Sequence, residues 1–417
     1  MESERVFGDE SAFDAPNFDL VFDRVKRVAI FAEAFLPKVD GVSKTAYLTL
    51  RYLQRTGREV IVFAPDIAPS SVHGSPVIPL PSLGFRAAPE TRIALPHPLV
   101  VQHIADFKPD LIHMFSPAVL SMSGMLMARQ VNVPVIANYQ TDLPSYAAHY
   151  GLPFFSGFVN DWLRLIHNGC HLTLVPSNYT LRELRGSGYH RLRRWGRGVN
   201  GEHFNPKRRS ATMRARLLNG RDPDSLLCIY VGRLANEKRV DLLLNVARTP
   251  GVALTIIGDG ALRPELETLF AGTNTHFTGY LFGDDLADAY ASADAFFFTG
   301  VSETFGQVVQ EALASGLPAV IINQGGITDL VEHGVNGFIC TDDPAEFAEA
   351  ARTLRDDHAL RRQMSSSART IADRNPWMAI MAQLENYYAE AYHLNARMQR
   401  VYPPRWNFLS WRMRRLN

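Results

Sequence analysis

Residues 291–320 read ASADAFFFTGVSETFGQVVQEALASGLPAV, and this stretch decides the fold. A short apolar run, Ala295–Thr299, is followed by a segment of helical character and then by a second apolar run that begins at Ala319. A strand, a helix and a further strand in this order predict a βαβ unit, in which the two strands are parallel.

The same alternation runs through both halves of the chain. Predicted strands in the first half are Val25–Phe31, Glu59–Ala64, Leu111–Met114, Val133–Asn138 and Leu172–Val175. Those in the second half are Leu226–Val231, Val252–Gly258, His276–Gly279, Ala295–Thr299 and Ala319–Asn323. Strands that alternate with helices predict the α/β class, here with two doubly wound, Rossmann-like domains that face each other across a ligand-binding cleft.

A helix is predicted between the first two strands, in SKTAYLTLRYLQRTG at residues 43–57. Ala46, Leu50 and Leu53 share one face of this helix. Ser43 is placed to cap its start, because a serine hydroxyl accepts hydrogen bonds from first-turn N–H groups. Gly57 is placed to end it, because glycine adopts the left-handed backbone that often follows a helix.

Two domains are expected because 417 residues are nearly twice what one compact domain comfortably holds. A polar, arginine-rich stretch at 207–225 is interpreted as the joint between them. The predicted boundaries are an N-terminal arm at 1–24, a first Rossmann-like domain at 25–206, a second at 207–375, and a closing helix with a basic tail at 376–417.

Composition and charge exclude several classes of protein. Hydrophobic residues make up 46% of the chain and charged residues 20%, which is typical of globular proteins and not of disordered chains or coiled coils. Lys and Arg number 43 against 42 Asp and Glu, so the basic excess of a nucleic-acid-binding protein is missing. Three dispersed cysteines favour reduced thiols and a cytoplasmic location. No run of 18 apolar residues occurs, and the acidic first 24 residues do not resemble a signal peptide.

Two cations follow a predicted strand in YVGRLANEKRVD, residues 230–241. Arg233 and Lys238 stand five positions apart in the loop that leads to the next helix. This pair suits a diphosphate, which arginine binds as a fork and lysine as a point charge. A solvated basic loop would show the same pattern, so this segment alone leaves both interpretations open.

Two glutamates lie in the stretch 291–320. Glu303 ends the loop after the strand, and Glu311 follows eight positions later inside the next helix. The turn between them, 304–307, presents N–H groups at a helix start, where anions bind well. Paired carboxylates serve acid/base catalysis or hold sugar hydroxyls. By their spacing alone, two glutamates eight apart are unremarkable.

Glycines supply weaker signals. Gly41, in LPKVDGVSK at 36–44, precedes the first predicted helix and would let the backbone approach a phosphate, although a glycine there is also an ordinary turn. The pair Gly325–Gly326 either lets the backbone close on a ligand or simply punctuates a loop.

Over residues 28–377 the chain resembles the retaining glycosyltransferases of family 4, which have the GT-B fold. The resemblance is carried by LPKVDGVSK, YVGRLANEK, IIGDG, FTGYL, SETFGQVVQEALASGLPAV and GGITDLV. Within that family it most resembles the sulfoquinovosyl- and diacylglycerol-directed transferases, through RGVNGEHFNP, MRARLLNG and DDLADAYASAD.

The resemblance implies roles for single residues. Arg233 and Lys238 bind the donor diphosphate and stabilise it as it leaves, Glu303 contacts the donor sugar, and Glu311 accepts hydrogen bonds from the ribose. The other implied donor-binding residues are Gly41 and Val42 at the diphosphate, Tyr280 and Leu281 at the base, and Thr304, Phe305, Gly306, Gln307 and Val308 along the phosphate and ribose.

The resemblance also implies the reaction. A sugar moves, with retention, from a nucleoside-diphosphate donor to an acceptor hydroxyl that attacks from the face of the leaving group. The donor is expected to be a UDP-sugar, with GDP-mannose second. Because cations and backbone N–H groups stabilise the leaving charge, neither a metal nor a further cofactor is implied. The string Asp222-Pro223-Asp224 precedes a predicted strand and is interpreted as a solvated turn.

Two departures from the family pattern concern the first domain. Many members carry a histidine where this chain has Gln140, in NYQTDLPSYAAHYG, and glutamine cannot shuttle a proton. Asp142 and His149 are therefore the candidates for acid/base roles in this acceptor-side loop. The second departure is the single glycine of VDGVS, where relatives often show two.

A membrane lipid such as diacylglycerol is the expected acceptor, at the inner membrane face. Arg397–Asn417 holds six arginines, no acid and four interleaved aromatics, and Arg182–Arg197 holds six arginines and one glutamate. Such segments attract anionic lipid, and the apolar stretch GLPFFSGFVNDWLRLIHNG suits an acyl-facing surface. A solvated tail, a buried helix and a soluble acceptor are the alternatives.

Three other functions agree less well with the sequence. A dehydrogenase requires GxGxxG after an early strand, whereas AEAFLPKVDGV has one glycine. A nucleotide-sugar epimerase requires acid/base residues that cannot be placed. A non-catalytic nucleotide-sugar-binding protein would be expected to lack one of the four charged residues Arg233, Lys238, Glu303 and Glu311.

Overall fold

A computed structural model describes residues 22–38, 40–85, 88–140 and 153–401. The described residues cluster into two compact units. The first unit comprises those within 22–176, 181–196 and 380–401, and the second comprises 177–180 and 197–379. Nearly all of the predicted N-terminal arm and residues 402–417 of the basic tail lie outside the described residues.

The first unit is built on an eight-stranded sheet. Its strands are β1 (Arg27–Ala32), β2 (Glu59–Pro65), β3 (Ser71–Val72), β4 (Ser75–Leu80), β7 (Leu111–Phe115), β8 (Val135–Asn138), β9 (Leu172–Val175) and β10 (Leu192–Arg194), and a separate hairpin pairs β5 (Ser82–Phe85) with β6 (Ala88–Ala94). The sheet order is β10-β9-β8-β7-β1-β2-β4-β3, with every pair parallel except β3 and β4. The central strands are buried along their length, which is why they appear in the sequence as continuous apolar runs.

The helices of the first half are α1 (Gly41–Arg55), α2 (Pro98–Phe107), α3 (Leu120–Val131), α4 (Pro153–Gly169) and α5 (Asn178–Gly186). The cap of α1 differs from the prediction. Asp40, not Ser43, is the N-cap residue, and its side chain accepts from the N–H of Ser43 while the Ser43 hydroxyl accepts from the N–H of Asp40. Ser43 is thus the third helical residue of a capping box. Gly57, at φ +76°, follows the helix as predicted.

The second unit is a six-stranded, wholly parallel sheet. Its strands are β11 (Leu226–Val231), β12 (Val252–Ile257), β13 (Thr275–Gly279), β14 (Ala295–Phe298), β15 (Ala319–Ile322) and β16 (Gly337–Cys340), in the order β13-β12-β11-β14-β15-β16. This is the Rossmann order, in which β12 and β13 lie on one side of β11 and β14 to β16 lie on the other. The strand order therefore reverses between β11 and β14, although all strands are parallel. The predicted α/β class with two Rossmann-like units is therefore confirmed.

The helices of the second half alternate with the strands of that sheet and then close the chain. They are α6 (Ala211–Leu218), α7 (Leu244–Ala247), α8 (Arg263–Leu269), α9 (Gly283–Ser292), α10 (Gln307–Ala314), α11 (Pro344–Asp356), α12 (His358–Ala372) and α13 (Trp377–Val401). From residue 380 onward α13 packs in the first unit, where Glu385 accepts from Arg58 at 2.6 and 2.8 Å and from the Tyr52 hydroxyl at 3.0 Å. In the parts of the chain that the structure describes, none of the helices combines the length and apolarity needed to cross a bilayer.

Candidate functional site

The candidate site lies at the carboxyl edge of the second sheet, where the strand order reverses. The loop after β11 carries Arg233 and Lys238, and the loop after its neighbour β14 carries Glu303. Ligands of doubly wound folds bind in the crevice at such a reversal. The topology therefore brings together the two charged loops that the sequence singled out.

Lys238 and Glu303 form a direct ion pair in this site. The Thr299 hydroxyl donates to the Lys238 carbonyl at 2.7 Å and so fixes the backbone there. The Lys238 ammonium lies 5.7 Å from the centre of the Phe298 ring. The side chains retain 12% and 24% of their exposure, so the pair is sheltered but reachable. Its charges are thus strongly felt by any ligand at this edge.

The charges around Glu303 decide whether its carboxyl group is ionised. Burial alone would raise the pKa of Glu303, but Lys238 and then Arg197 and Arg233 lower that pKa below its ordinary value of 4.5. The carboxylate is therefore ionised at neutral pH. A permanently charged carboxylate accepts hydrogen bonds from hydroxyl groups but cannot act as a proton donor there.

Arg233 occupies the more open side of the site. Its guanidinium lies 2.5 Å from the Glu237 carboxylate, and the Arg233 side chain is 42% exposed whereas that of Glu237 is 6% exposed. The Glu237 backbone carbonyl also accepts from the N–H of Val301 at 3.0 Å. Glu237, which the sequence interpretation did not single out, thus orients Arg233 and ties the two loops together.

The turn 304–307 leads into α10 as predicted, with Gly306 at φ +88° as the N-cap residue and no side-chain cap. An added Cβ at Gly306 would lie 2.3 Å from the Ile327 side chain, so glycine is required by both backbone and space. The Gln307 amide donates to the Gly198 carbonyl at 3.0 Å, so this side chain anchors a neighbouring segment. Glu311 lies one turn further along α10 and is buried.

The glycine pair after β15 packs against the Glu303 loop. The Gly326 N–H donates to the Glu303 carbonyl at 2.6 Å, and an added Cβ at Gly326 would lie 2.0 Å from the Thr304 carbonyl oxygen. The backbone at Gly325–Gly326 therefore closes on the neighbouring loop of the site, which shapes the turn that carries Glu303.

Arg197 is a further member of the site that the sequence interpretation missed. It is 8% exposed, and its guanidinium carbon lies 6.0 Å from the centre of the Phe305 ring. The only signal in the sequence is that Arg197 stands between Gly196 and Gly198, at the start of the segment RGVNGEHFNP. Its contact residue Phe305 is more than 100 positions away, so spacing could not reveal it.

The residues predicted at the base lie at the end of β13. The Tyr280 hydroxyl donates to the Asp259 carbonyl at 2.9 Å, which leaves the ring half exposed, whereas Leu281 is buried. The exposed ring of Phe282 lies 5.7 Å from the Tyr280 ring. An aromatic surface is therefore present at this edge of the sheet.

The first unit holds the remaining predicted residues. Gly41 begins α1, but the N–H groups of Val42 and Ser43 already donate to the Asp40 carboxylate at 3.0 and 2.8 Å, so a phosphate there would compete with Asp40. Gln140 follows β8 and is buried. Asp142 and His149 lie outside the described residues.

Glu33, directly after β1, is a third residue that the sequence interpretation missed. Its Oε1 accepts from the N–H groups of Ala118 and Ser121, both at 2.9 Å, at the start of α3. Burial raises the pKa of Glu33 to about 7, against the lowering effect of these hydrogen bonds. Among the residues that the structure describes, no cluster of three or more His, Cys, Asp or Glu is arranged to hold a metal ion.

Comparison with known proteins identifies the family. The model described as Glycosyltransferase Family 4 matches residues 39–203, and the model described as Glycosyl transferases group 1 matches residues 216–371. A GDP-mannose-dependent alpha-mannosyltransferase of Mycobacterium tuberculosis is 37% identical over 369 residues, covering 87% of this chain and 96% of that protein. Sulfoquinovosyl transferase SQD2 of Arabidopsis thaliana is 35% identical over 424 residues, covering 98% and 82% respectively.

Solved structures bear on the fold. The crystal structure of HepE from Anabaena in complex with UDP and glucose is similar with a TM-score of 0.68 at 19% identity, covering 87% of this chain and 99% of HepE. Together with the strand order of the two units, this likeness agrees with the expected architecture. The chain belongs to glycosyltransferase family 4 and has the GT-B fold.

Proposed function

We propose that this glycosyltransferase moves a sugar from a nucleoside-diphosphate donor to a hydroxyl of a membrane lipid, with retention and without a metal ion. The observation that carries the proposal is the Lys238–Glu303 pair at the reversal of the second sheet, beside Arg233. It sets a cation for a leaving diphosphate next to an ionised carboxylate for the hydroxyls of the donor sugar.

The proposed chemistry is a displacement at the anomeric carbon. The bond from this carbon to the diphosphate oxygen breaks, and the acceptor oxygen bonds to the carbon on the same face while its proton passes to the departing phosphate. Negative charge grows on the diphosphate as the bond stretches. Arg233 and Lys238 stabilise that charge, each preorganised donor contributing roughly 3 kcal/mol. Glu303, as a carboxylate, orients the sugar.

The other donor contacts follow the family pattern. Glu311 accepts from the ribose hydroxyls, and 304–308 lines the phosphate and ribose through backbone N–H groups. Tyr280 and Leu281 flank the base, and the half-exposed Tyr280 ring supports this placement. Gly41 and Val42 are the donor-binding candidates in the first unit, where a diphosphate would compete with Asp40 for the Val42 N–H.

The donor nucleotide is the first point to decide. We propose a UDP-sugar, the donor that the resemblance to sulfoquinovosyl- and diacylglycerol-directed transferases implies, and the chain matches sulfoquinovosyl transferase SQD2 across nearly its whole length. GDP-mannose is the second candidate, and the mannosyltransferase of M. tuberculosis supports it at slightly higher identity. The base contacts proposed for this fold are largely with backbone atoms, so side chains do not separate uridine from guanosine.

A lipid acceptor is supported by the surface of the first unit. On α4, Phe158 and Leu165 are 69% and 59% exposed. Arg182 and Arg185 of α5 are exposed as well. Basic residues near an anionic leaflet contribute about 1 kcal/mol each. This combination of apolar and basic side chains suits the surface of an anionic bilayer.

A donor panel tests the proposal. UDP-sugars and GDP-mannose are offered with and without diacylglycerol in vesicles, and release of nucleoside diphosphate is measured. We expect one donor to turn over and diacylglycerol to raise the rate. Vesicle sedimentation forms the second arm: we expect binding to anionic vesicles at low salt, weakened by an Arg182→Gln/Arg185→Gln double variant but not by Arg352→Gln on α11. A water-soluble acceptor that outperforms diacylglycerol, with no vesicle binding, would refute the lipid assignment.

A further inference from the structure

We propose that Arg197 is a positioning residue of the donor site, which together with Lys238 holds Glu303 ionised and aimed at the donor sugar. The inference rests on the function proposed above and concerns a residue that neither motif spacing nor the implied roles identified. It depends on how Arg197 is fixed, what its guanidinium faces, and which charges surround Glu303.

The backbone at Arg197 is fastened to the helix of the site. The Gln310 amide of α10 donates to the Arg197 carbonyl at 2.9 Å, and the Gln307 amide donates to the carbonyl of the next residue, Gly198, at 3.0 Å. Gln310 itself is 2% exposed. Two consecutive carbonyls are thus held by two side chains of one helix, so Arg197 keeps its place relative to the Glu303 loop.

The guanidinium is held as well. Its central carbon lies 6.0 Å from the centre of the Phe305 ring, within the range of a cation–π interaction. Phe305 is 3% exposed and lies two residues after Glu303. Arginine is seldom buried without a charged or aromatic partner, and here the aromatic partner belongs to the loop that carries the carboxylate.

Several ionisable groups face Glu303, and their balance gives Arg197 its role. Lys238 makes the direct contact, Arg197 and Arg233 act through space, and the Tyr230 hydroxyl and Glu237 lie in the same neighbourhood. Arg197 lowers the pKa of Glu303 more than Arg233 does. Arg233 is in addition drawn toward Glu237.

A bound diphosphate changes this balance. Lys238 is the cation that both Glu303 and the diphosphate require, and a donor with two negative phosphates attracts its ammonium strongly. Arg197 is then the buried cation that keeps Glu303 ionised while Lys238 serves the leaving group. The site thereby separates two tasks that one lysine would otherwise share.

Kinetics of Arg197→Gln and Arg197→Lys test the inference, with Arg352→Gln on the surface of α11 as the matched control. The donor found in the panel is used, and kcat and kcat/KM are followed from pH 4 to 8 together with the affinity for the free nucleoside diphosphate. We expect Arg197→Gln to lower kcat at least tenfold and to move the acidic limb to higher pH. Arg197→Lys restores most of the limb, and nucleoside diphosphate affinity changes less than threefold in both.

A purely structural role, or a direct diphosphate contact, gives different results. If Arg197→Gln weakens nucleoside diphosphate binding more than tenfold and leaves the acidic limb in place, the inference is overturned. A double-mutant cycle on the melting temperature, with Arg197→Gln and Glu303→Gln, gives a readout that needs no turnover. We expect the double variant to lose less than the sum of the two single losses. Additive losses overturn the inference, and a wild-type protein that turns over no nucleotide sugar overturns the proposed function instead.

Discussion

In the first unit the carboxyl ends of the adjacent strands β1, β7 and β8 carry Glu33, Ser116 and Asn138, whereas in the second unit the loops after the adjacent strands β11 and β14 carry Arg233, Lys238 and Glu303. Both edges are carboxyl ends of parallel strands at the reversal of a Rossmann-like sheet. The same topology therefore presents two different sets of side chains.

The edge of the first unit favours neutral groups. Burial raises the pKa of Glu33 to about 7, and burial lowers the pKa of His113, which contacts Asn138 at 3.1 Å, to about 4. The atoms Glu33 Oε2, Ser116 Oγ, Ser121 Oγ and Asn138 Nδ2 are buried and have no hydrogen-bond partner among the described residues. Burial disfavours the charged form where no opposite charge compensates.

The edge of the second unit favours ions. Glu303 keeps 24% of its side-chain exposure, and although burial alone would raise its pKa, the cations around it lower that pKa. Burial raises the pKa of both glutamates, and of the two only Glu303 has neighbouring cations among the described residues, Lys238 and Arg197, that outweigh this effect. A charged edge suits a diphosphate, whereas a neutral polar edge suits hydroxyl groups.

Removal of Lys238 should have the largest effect on the contrast between the charged and the neutral edge. Lys238→Ala leaves Glu303 buried without its direct cation and removes a donor to the leaving diphosphate. We expect turnover to fall roughly 10²–10³-fold, as for the loss of one preorganised donor. Nucleoside diphosphate release is the measurement, and circular dichroism with a melting curve verifies the fold. Near wild-type turnover in a folded variant would refute the role assigned to Lys238.

Glu33→Gln sharpens the other side of the comparison. Because the pKa of Glu33 is raised from 4.5 to about 7 in the folded chain, its contribution to stability is complete below pH 4.5 and is lost as pH rises through 7. The loss amounts to about 3 kcal/mol. Glutamine keeps an oxygen for the N–H groups of Ala118 and Ser121 and does not titrate.

Urea unfolding of the wild type and the Glu33→Gln variant at several pH values measures the effect. We expect the variant to gain on the wild type in free energy of unfolding between pH 4 and 8. A difference that stays constant over this range would mean that Glu33 is not destabilised in its charged form.

Most of the fold could be predicted from the sequence, because strands such as β9 and β11 are buried on both faces and appear as continuous apolar runs. Two edge strands could not be predicted, because they lack such continuous apolar runs. β10 is Leu-Arg-Arg, with two exposed residues, and β16 is a four-residue strand that begins at Gly337. An added Cβ at Gly337 would lie 1.9 Å from the Ala319 carbonyl, so this glycine allows the strand to approach β15.

The site could be predicted only where its residues lie in loops that directly follow predicted strands. Arg233, Lys238 and Glu303 lie in loops directly after predicted strands, and the structure brings Lys238 and Glu303 into contact. Glu33 depends on Ala118, about 85 positions away, and Arg197 depends on Phe305, about 110 positions away. No local pattern records such a contact, and without it neither residue differs from an ordinary charged side chain.

The smallest effect is expected at the amino ends of the strands of the second sheet, opposite the ends that carry the candidate site. Asp222 and Asp224 lie in the turn before β11, where the Asp224 N–H donates to the Asp222 carboxylate at 3.0 Å and the Ser225 N–H donates to the Asp222 carbonyl at 3.1 Å. The six residues of β11 separate this turn from Arg233 by about 20 Å. An Asp222→Asn/Asp224→Asn double variant should keep transfer within about twofold, as surface substitutions usually change energies by about 0.5 kcal/mol or less.

The same double variant tests which edge of the sheet serves the diphosphate. Transfer is measured with EDTA and with added Mn²⁺, and we expect the same rate in both, for wild type and variant alike, because cationic side chains and not a metal are proposed to stabilise the leaving group. A rate that requires Mn²⁺ and disappears in the double variant would move the diphosphate to the aspartate turn. The ion pair at the carboxyl edge would then have only a structural role, and the contrast between the two carboxyl edges would lose its functional meaning.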